Sequence, residues 1–323
     1  MEQIIQAPIT FKPYFKSVIW GGNKICDYKG ISRTMQNIGE SWEISAVPGH
    51  VSVVEGGAYS GQTLAELIER FGAQLLGDRV FDRYEGKFPL LVKLIDANDN
   101  LSVQVHPDDK LAKLRHDSLG KTEMWYIISA DNDAKIYSGL SEQITPEIYE
   151  EKVADGTFSN VLASHDSRPG DVFFLPAGRV HAIGAGNLLA EIQESSDITY
   201  RIFDYNRTDA AGNTRELHTG LAKDAIDYMV YPDYKSETPA TNVADAEIVS
   251  CQHFKVRRII VSDTSDLEFD KDSFTVIMCI SGTATVKFQS GKLTLSSGHT
   301  ILLPAALNHI TVEGNATLIT ARA

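Results

Sequence analysis

The sequence is poor in cysteine and has no long apolar stretch. Only three cysteines occur in 323 residues, Cys26, Cys251 and Cys279, and they form no CxxC motif. This sparse, odd number argues against a disulfide-stabilised scaffold and favours a reducing compartment. No segment approaches the roughly 18 to 20 apolar residues that span a bilayer, and residues 1–15 lack the basic start and apolar run of a signal peptide. We therefore expect a cytoplasmic protein without a membrane partner.

Positive charge is also scarce. The chain has 30 Lys and Arg residues against 43 Asp and Glu residues, a formal net charge of -13. This balance works against binding to nucleic acid, which we do not expect as a partner. It says little about a small anionic ligand, because screening over roughly 8 to 10 Å leaves the local charge of a pocket to decide binding. The Walker A and GxGxxG motifs are absent too, so nothing indicates a nucleotide site.

The local patterns that are present predict a mainly β protein with a few helices. Thr63 and Glu66 form a possible capping box that opens a helix ending at Gly77. Further helices are expected over 109–115, 145–156 and 219–228. Most of the remaining chain consists of short runs of Val, Ile, Phe, Tyr and Thr broken by turn residues, which is typical of antiparallel sheets.

A polar segment divides the chain into two predicted domains. Residues 231–246 contain two prolines and little apolar periodicity, so they are typical of a linker. We place the boundary near residue 237, with a larger domain over 1–237 and a small all-β domain over 238–323.

An internal repeat supports this division. The segments 170–181 and 298–309 each begin with Gly, carry Pro six residues later and end with His eleven residues later. Such a segment turns at the glycine, forms a strand that ends at the proline, and presents the histidine on the next strand. A small β-barrel directs a ligand side chain into its interior in this way.

Polar side chains share the faces of two candidate strands. Because side chains alternate along a strand, Ser102, Gln104 and His106 lie on one face of the segment 101–107. The same rule groups Lys121 and Glu123 on the next candidate strand.

With His181 from the repeat, these strands supply a nitrogen and oxygen ligand set. A single histidine on a strand is more often structural than a ligand. The combination of two imidazoles, a carboxylate and an amide in one β-rich domain is far more specific, and it suits Zn²⁺ or another divalent first-row ion. The candidate ligands are Gln104, His106, Glu123 and His181.

Two further charged residues flank a candidate turn. Glu191 and Arg201 lie symmetrically about Ser195, Ser196 and Asp197, so a hairpin would make them a cross-strand pair. The pair could face the metal ligands, or it could be a structural surface salt bridge of little energetic value.

These motifs resemble those of class I mannose-6-phosphate isomerases in their short bacterial form. The resemblance lies in LSVQVHPDD (101–109), GKTEMWY (120–126), GDVFFLPAGRVHAIG (170–184) and LLAEIQESSDITYRIFDYNR (188–207), and it extends over essentially the whole chain. It implies two cupin-type (jelly-roll) β-barrels with a small helical insertion in the N-terminal part. It also implies one Zn²⁺ per chain, bound by the four candidate ligands. The family's catalytic residues fall on Arg201, Lys121 and Glu191, and its substrate-binding residues on Ser102, Lys121 and Arg201.

The resemblance implies a metal-dependent aldose-ketose isomerase. Mannose 6-phosphate and fructose 6-phosphate would interconvert through an enediol(ate), with Lys121 or Glu191 moving the proton and Arg201 stabilising negative charge. A cupin isomerase for glucose 6-phosphate, an Fe²⁺ cupin dioxygenase and a non-catalytic sugar-phosphate sensor remain as alternatives. The sequence leaves the oligomeric state open.

Overall fold

The fold is mainly β, as the sequence predicts. A computed structural model describes residues 5–33, 35–208, 211–240 and 242–323. Within them lie seven α-helices and nineteen strands. No helix in these ranges is both long enough and apolar enough to span a membrane.

The helices are short and most of them precede residue 155. They are α1 (Lys24–Lys29), α2 (Leu64–Phe71), α3 (Ala73–Leu76), α4 (Asp78–Arg83), α5 (Asp109–His116), α6 (Pro146–Ala154) and α7 (Thr219–Ala225). One 3₁₀ turn covers Phe158–Val161.

The strands form three sheets. The central sheet has the order β13-β9-β6-β11-β4-β3-β2, the small sheet β12-β5-β10-β7-β8, and the C-terminal sheet β1-β18-β16-β19-β15-β14 with β17 paired to β16. Their bounds are β1 (Ile9–Thr10), β2 (Tyr14–Gly22), β3 (Ile38–Ile44), β4 (Leu90–Ala97), β5 (Val103–Val105), β6 (Glu123–Ala130), β7 (Lys135–Leu140), β8 (Leu162–Asp166), β9 (Val172–Leu175), β10 (His181–Ile183), β11 (Asn187–Glu194), β12 (Tyr200–Phe203), β13 (Lys235–Ser236), β14 (Asp245–Ser250), β15 (Lys255–Glu268), β16 (Thr275–Phe288), β17 (Gly291–Ser296), β18 (Thr300–Leu303) and β19 (His309–Arg322). None of the sheets closes on itself within the described residues.

The central sheet is buried on both faces, and alternation along its strands decides what each face touches. On β4, β6 and β11 the odd-numbered apolar residues, such as Ile95 and Ile127, pack with Ile136 and Ile183 of the small sheet. The even-numbered ones belong to another cluster, which includes residues of the C-terminal sheet. Polar residues at odd positions of these strands therefore face the small sheet.

The predicted helices are found, with two differences in extent. Thr63 accepts a hydrogen bond from the Glu66 amide and Glu66 reaches back to the Thr63 amide, so the capping box is confirmed. The expected helix does not run unbroken to Gly77. It breaks at Gly72, whose φ of 50° lies in the left-handed region, and a second short helix follows. The helix predicted over 219–228 ends at Ala225.

The hairpin predicted around Ser195–Asp197 is wrong. Strand β11 pairs with β4 on one side and β6 on the other, so it has no free edge for the segment that follows. Strand β12 instead crosses to the small sheet and pairs with β5. Glu191 and Arg201 are thus in different sheets and are not a cross-strand pair.

Both copies of the internal repeat fold as the sequence predicts. Gly170 and Gly298 have φ values of 89° and 78°, which explains the requirement for glycine at these turns. In each copy the strand ends just before the proline, and the histidine begins the next strand. His181 is 1% exposed, whereas His309 is on the surface. The same local motif therefore presents one histidine to the interior and the other to solvent.

Candidate active site

Two rows of directly paired residues face each other across the central and small sheets. In the central sheet Trp42 pairs with Lys93, Lys93 with Glu191, and Glu191 with Trp125. All of these central-sheet positions on β4, β6 and β11 are odd-numbered, so their side chains point toward the small sheet.

In the small sheet, Arg201 pairs with Gln104 and Gln104 pairs with His181. Glu123 lies two residues before Trp125, on the face of β6 that is directed toward the small sheet. Strand register therefore pairs residues about a hundred positions apart in the sequence, such as Lys93 and Glu191.

Three of the four predicted ligands form a tight buried cluster. His106 Nε2 lies 3.6 Å from Glu123 Oε2, and His181 Nε2 lies 3.3 Å from Glu123 Oε1. All three side chains are 1% exposed. These separations are close to the roughly 3.3 Å expected between two ligand atoms of a tetrahedral ion with bonds of about 2.0 to 2.1 Å.

The imidazoles are oriented to present unprotonated nitrogens. His106 Nδ1 lies 2.8 Å from the Ile198 carbonyl oxygen, and His181 Nδ1 lies 2.9 Å from the Arg179 carbonyl oxygen. Each Nδ1–H donates to its carbonyl, which leaves the Nε2 lone pair directed at the cluster. Burial lowers the pKa of His181 to about 3 and holds the pKa of His106 well below its usual value. Both rings are therefore neutral at neutral pH, the form that binds a metal.

The carboxylate of Glu123 is buried without a hydrogen-bond donor on either oxygen among the described residues. Burial raises its pKa. Two lone-pair nitrogens and a buried carboxyl group thus converge, an arrangement that a divalent cation stabilises. The residues present fit a zinc-type ion.

Gln104 and Lys121 border this cluster. Gln104 Nε2 lies 3.3 Å from His181 Nε2. With the amide rotated by about 180°, the Gln104 side-chain oxygen would be directed at the His106, Glu123 and His181 cluster. Lys121 Nζ lies 3.2 Å from His106 Nε2 and 3.3 Å from Glu123 Oε2. The structure therefore brings all four predicted ligands and the predicted lysine to one place.

A cavity of about 320 Å³ lies beside this cluster. Gln104 and Lys121 form part of its wall, together with the predicted residues Ser102, Glu191 and Arg201. Its charged lining comprises five cations and three carboxylates: Lys16, Lys93, Lys121, Arg201, Arg215, Glu40, Glu191 and Asp197. The cavity is positive although the chain as a whole is acidic, so it suits a small anionic ligand.

Glu191 is held in the ionised state by its neighbours. Lys93 Nζ lies 3.1 Å from Glu191 Oε1, and Trp125 Nε1 donates to Glu191 Oε2 at 2.9 Å. Burial by itself would raise the pKa of Glu191, but Lys93 and Lys121 outweigh it and lower the pKa. Lys93 also lies 3.6 Å from Glu40, so one buried ammonium is shared by two carboxylates.

Arg201 has part of its guanidinium free. Its Nη1 donates to the Glu216 carbonyl at 2.8 Å, whereas Nε is buried and has no partner among the described residues. Burial lowers the pKa of Arg201, but the guanidinium remains charged at neutral pH. Arg201 therefore adds a fixed positive charge to the cavity wall.

Several residues of the cavity are not predicted by the sequence motifs. Lys16, Glu40, Lys93 and Arg215 lie outside every motif used to predict the site. For Lys93 a signal existed, since it is a charged residue in the otherwise apolar run LLVKLI (90–95). A charge in such a buried strand needs a partner and often marks a functional site.

Comparison with known proteins identifies the family. Residues 9–150 match the family model of the phosphomannose isomerase type I catalytic domain, and residues 245–323 match that of the mannose-6-phosphate isomerase cupin domain. The mannose-6-phosphate isomerase ManA of Bacillus subtilis is 37% identical over 319 residues, which cover 97% of this chain and 98% of that protein. The chain belongs to the type I phosphomannose isomerase family. A mannose-6-phosphate isomerase of Streptococcus mutans is 33% identical and covers 97% of both chains.

Solved structures agree with membership of the type I phosphomannose isomerase family. The crystal structure of a Bacillus subtilis mannose 6-phosphate isomerase is 34% identical, has a TM-score of 0.88, and covers 98% of this chain and 99% of that one. A variant of the Salmonella typhimurium phosphomannose isomerase, at 15% identity and a TM-score of 0.80, shows the same fold over 97% of this chain. The resemblance inferred from the motifs is confirmed.

Proposed function

We propose that the protein interconverts mannose 6-phosphate and fructose 6-phosphate. The observation that carries this proposal is the buried cluster of His106, Glu123 and His181 beside a cation-lined cavity, in a chain of the type I phosphomannose isomerase family. The reaction moves a proton between C1 and C2 of the sugar through an enediol(ate). A site for it needs a group that transfers the proton, positive charge near the two oxygens, and an anion-binding wall for the phosphate.

We assign Zn²⁺ as the resident ion, held by His106, Glu123 and His181 with Gln104 at the remaining protein position. The ion would supply Lewis-acid stabilisation of the negative charge that develops on the sugar oxygens. The two histidines need no deprotonation to bind it, because their orientation and burial already keep them neutral.

The chain's own residues divide the remaining tasks. Arg201 donates hydrogen bonds to the developing oxyanion, and Ser102 lies on the same wall to contact the substrate. Glu191 is ionised and reaches the cavity, so its carboxylate accepts the proton from carbon. Lys121 is the other group able to transfer that proton, and its ammonium also adds positive charge for the phosphate.

We also propose that residues 1–237 form the catalytic domain and residues 238–323 a second cupin-type barrel that has no part in chemistry. Every predicted site residue lies before residue 237. The ligands come from strands of two facing sheets, as expected for a jelly roll, and the C-terminal residues match a cupin family model. A cytoplasmic location and the lack of a nucleic-acid partner remain predictions from cysteine content and net charge.

The direct test is proton exchange with solvent, at C2 of mannose 6-phosphate and at C1 of fructose 6-phosphate. Metal-replete protein is incubated in D₂O with mannose 6-phosphate or fructose 6-phosphate, and NMR follows deuterium incorporation and the products. Exchange with formation of the other sugar phosphate is expected. Absence of both exchange and product with both sugars contradicts the proposal, and accumulation of glucose 6-phosphate would assign a different isomerase.

Two variants separate the candidate proton-transfer groups. If Glu191 accepts the proton, Glu191→Gln abolishes exchange, whereas Lys121→Met weakens substrate binding and retains slow exchange. The opposite pattern assigns the proton transfer to Lys121. Lys113→Met, at an exposed position outside the cavity, serves as the control with unchanged exchange.

A further inference from the structure

We propose that the protein holds a second divalent metal ion, bound by Asp109, Glu194 and His253 outside the cavity described above. Nitrogen and carboxylate ligands without thiolate suit the same class of first-row ion, with zinc as the representative. This site has no part in the proposed isomerase chemistry. It would instead connect three separate segments of the chain.

The three side chains converge on one point, as those of the first cluster do. His253 Nδ1 lies 2.9 Å from Glu194 Oε1 and 3.9 Å from Asp109 Oδ2. The corresponding distances at His106, Glu123 and His181 are 3.6 and 3.3 Å. The distances of the second group lie on either side of the roughly 3.3 Å between ligand atoms of a tetrahedral zinc ion, and those of the first lie at this value and slightly above it. In each group one ligand atom per residue lies within 4.8 Å of the others.

The buried carboxylate of Glu194 is an independent indication. Glu194 is 3% exposed, and its Oε1 has no hydrogen-bond partner of acceptable geometry among the described residues. Its other oxygen accepts the Thr122 amide at 2.8 Å, so only Oε1 is directed at His253. Both oxygens of Glu123 at the first cluster show the same lack of a donor.

The remaining ligand atoms are also held in place. Asp109 Oδ1 accepts the Gly120 amide at 2.8 Å, which leaves Oδ2 for the ion. Gln252 Nε2 lies 2.8 Å from His253 Nε2. With its amide turned over, the Gln252 oxygen accepts a hydrogen bond from Nε2–H, and Nδ1 becomes the unprotonated ligand atom.

The site is open on one side. A cavity of about 440 Å³ is bordered by Asp109, Gln252 and His253, and the Asp109 side chain is 49% exposed. Water can therefore enter and complete the coordination shell that three protein ligands leave open.

The position of the site indicates a structural role. Asp109 begins α5, Glu194 ends β11 of the central sheet, and His253 lies between β14 and β15 of the C-terminal sheet. An ion here would join the two predicted domains. Through the Thr122 amide it would also support the start of β6, which carries Glu123.

Metal stoichiometry in a set of four variants tests the proposal. Apoprotein is titrated with Zn²⁺, dialysed and analysed by mass spectrometry of bound metal. We expect two equivalents in the wild type, one in His253→Gln, one in His181→Gln, and none in the double variant. His309→Gln, at an exposed histidine outside both groups, should retain two.

The controls keep the two proposals separate. His253→Gln should keep C2 proton exchange, and Zn²⁺ should raise its thermal unfolding midpoint less than that of the wild type. One equivalent in both the wild type and His253→Gln would show that Glu194 and His253 form only an ion pair and would overturn the proposal. If His253→Gln does not fold, Asp109→Asn decides, because its amide oxygen can still accept the Gly120 bond while the carboxylate ligand is lost.

Discussion

At the scale of single residues, the site is built from buried charges that stabilise one another. Lys93 is 4% exposed and lies between Glu40 and Glu191, with the ring of Trp42 5.1 Å from its ammonium. Burial lowers the pKa of a lysine, but Glu191 and Glu40 outweigh this effect and raise the pKa of Lys93. The ammonium therefore stays charged and keeps Glu191 ionised at the cavity wall.

Arg201 is the residue whose removal should separate catalysis from metal binding. We expect Arg201→Ala to lower kcat by about 10²- to 10³-fold, because it removes a preorganised donor to the developing oxyanion. Bound metal should be unchanged, since Arg201 is not among the ligands. Steady-state kinetics and metal analysis of the same preparation check this, with Arg33→Ala at the exposed Asp27 pair as the control. Normal turnover in Arg201→Ala would remove this residue from the mechanism.

At the scale of secondary structure, local signals set where elements begin, and neighbouring strands set what they face. The capping box of α2 involves Thr63 and Glu66 alone and can be identified within four residues. The orientation of β11 depends on its two partner strands, β4 and β6. Because these strands occupy both of its edges, β11 does not form the hairpin with β12 that the turn residues predicted.

The capping box gives a local stability prediction. In the wild type the Glu66 amide donates to Thr63 Oγ1 at 3.2 Å. Thr63→Ala removes this acceptor and should lower the free energy of unfolding by about 1 kcal/mol. Urea denaturation measures the change. Thr63→Ser keeps the hydroxyl and should unfold like the wild type, and equal losses in both variants would argue against the cap.

The segment after β12 gives a pH-dependent prediction. Asp204 accepts hydrogen bonds from Arg207 at 2.6 Å and from Arg215 Nε at 2.7 Å. Burial would raise the pKa of Asp204, but these two arginines lower it below its usual value. Its contribution to stability is thus present above the unfolded-state pKa of about 3.9 and lost as the pH falls through the lower folded-state value.

Asp204→Asn should therefore be less stable than the wild type at pH 7, and the difference should narrow below about pH 4. Urea unfolding at several pH values checks this. Asp263→Asn, at an exposed position, should differ little from the wild type throughout. A difference for Asp204→Asn that widens toward acidic pH would contradict the prediction.

At the scale of the whole molecule, contacts between the N-terminal segments and the C-terminal sheet make the two predicted domains interdependent. Ile9 and Thr10 pair with β18 of the C-terminal sheet. Lys29 Nζ lies 2.8 Å from each oxygen of Glu43 and donates to the Gly298 carbonyl at 2.5 Å. The pair is almost fully buried, with side chains 2% and 4% exposed.

Lys29→Met should consequently destabilise the protein by about 3 to 5 kcal/mol, because it leaves the Glu43 charge buried without its partner. Lys113→Met is the matched control. Its partner Asp117 is exposed, and loss of such a surface pair costs less than about 1 kcal/mol. Calorimetry or urea unfolding measures the stability of both variants. A similarly small loss of stability in Lys29→Met and Lys113→Met would show that the buried pair is dispensable.

The sequence by itself determined the features that depend on residues close together in the chain. Alternation along single strands grouped Ser102, Gln104 and His106 and identified Glu123. The repeat identified His181, alternation also placed Lys121 beside Glu123, and resemblance to a family supplied the catalytic roles of Arg201, Lys121 and Glu191. Caps and turns require only a few neighbouring residues, so they can be identified without a tertiary structure.

The tertiary structure alone decided which strands pair and which distant charges meet. Lys93, Glu40 and Arg215 entered the site, and Asp109, Glu194 and His253 converged, although no motif links them in the sequence. The physical reason is that side-chain alternation assigns each residue to a face of its strand, whereas pairing and layer packing depend on burial across the whole chain.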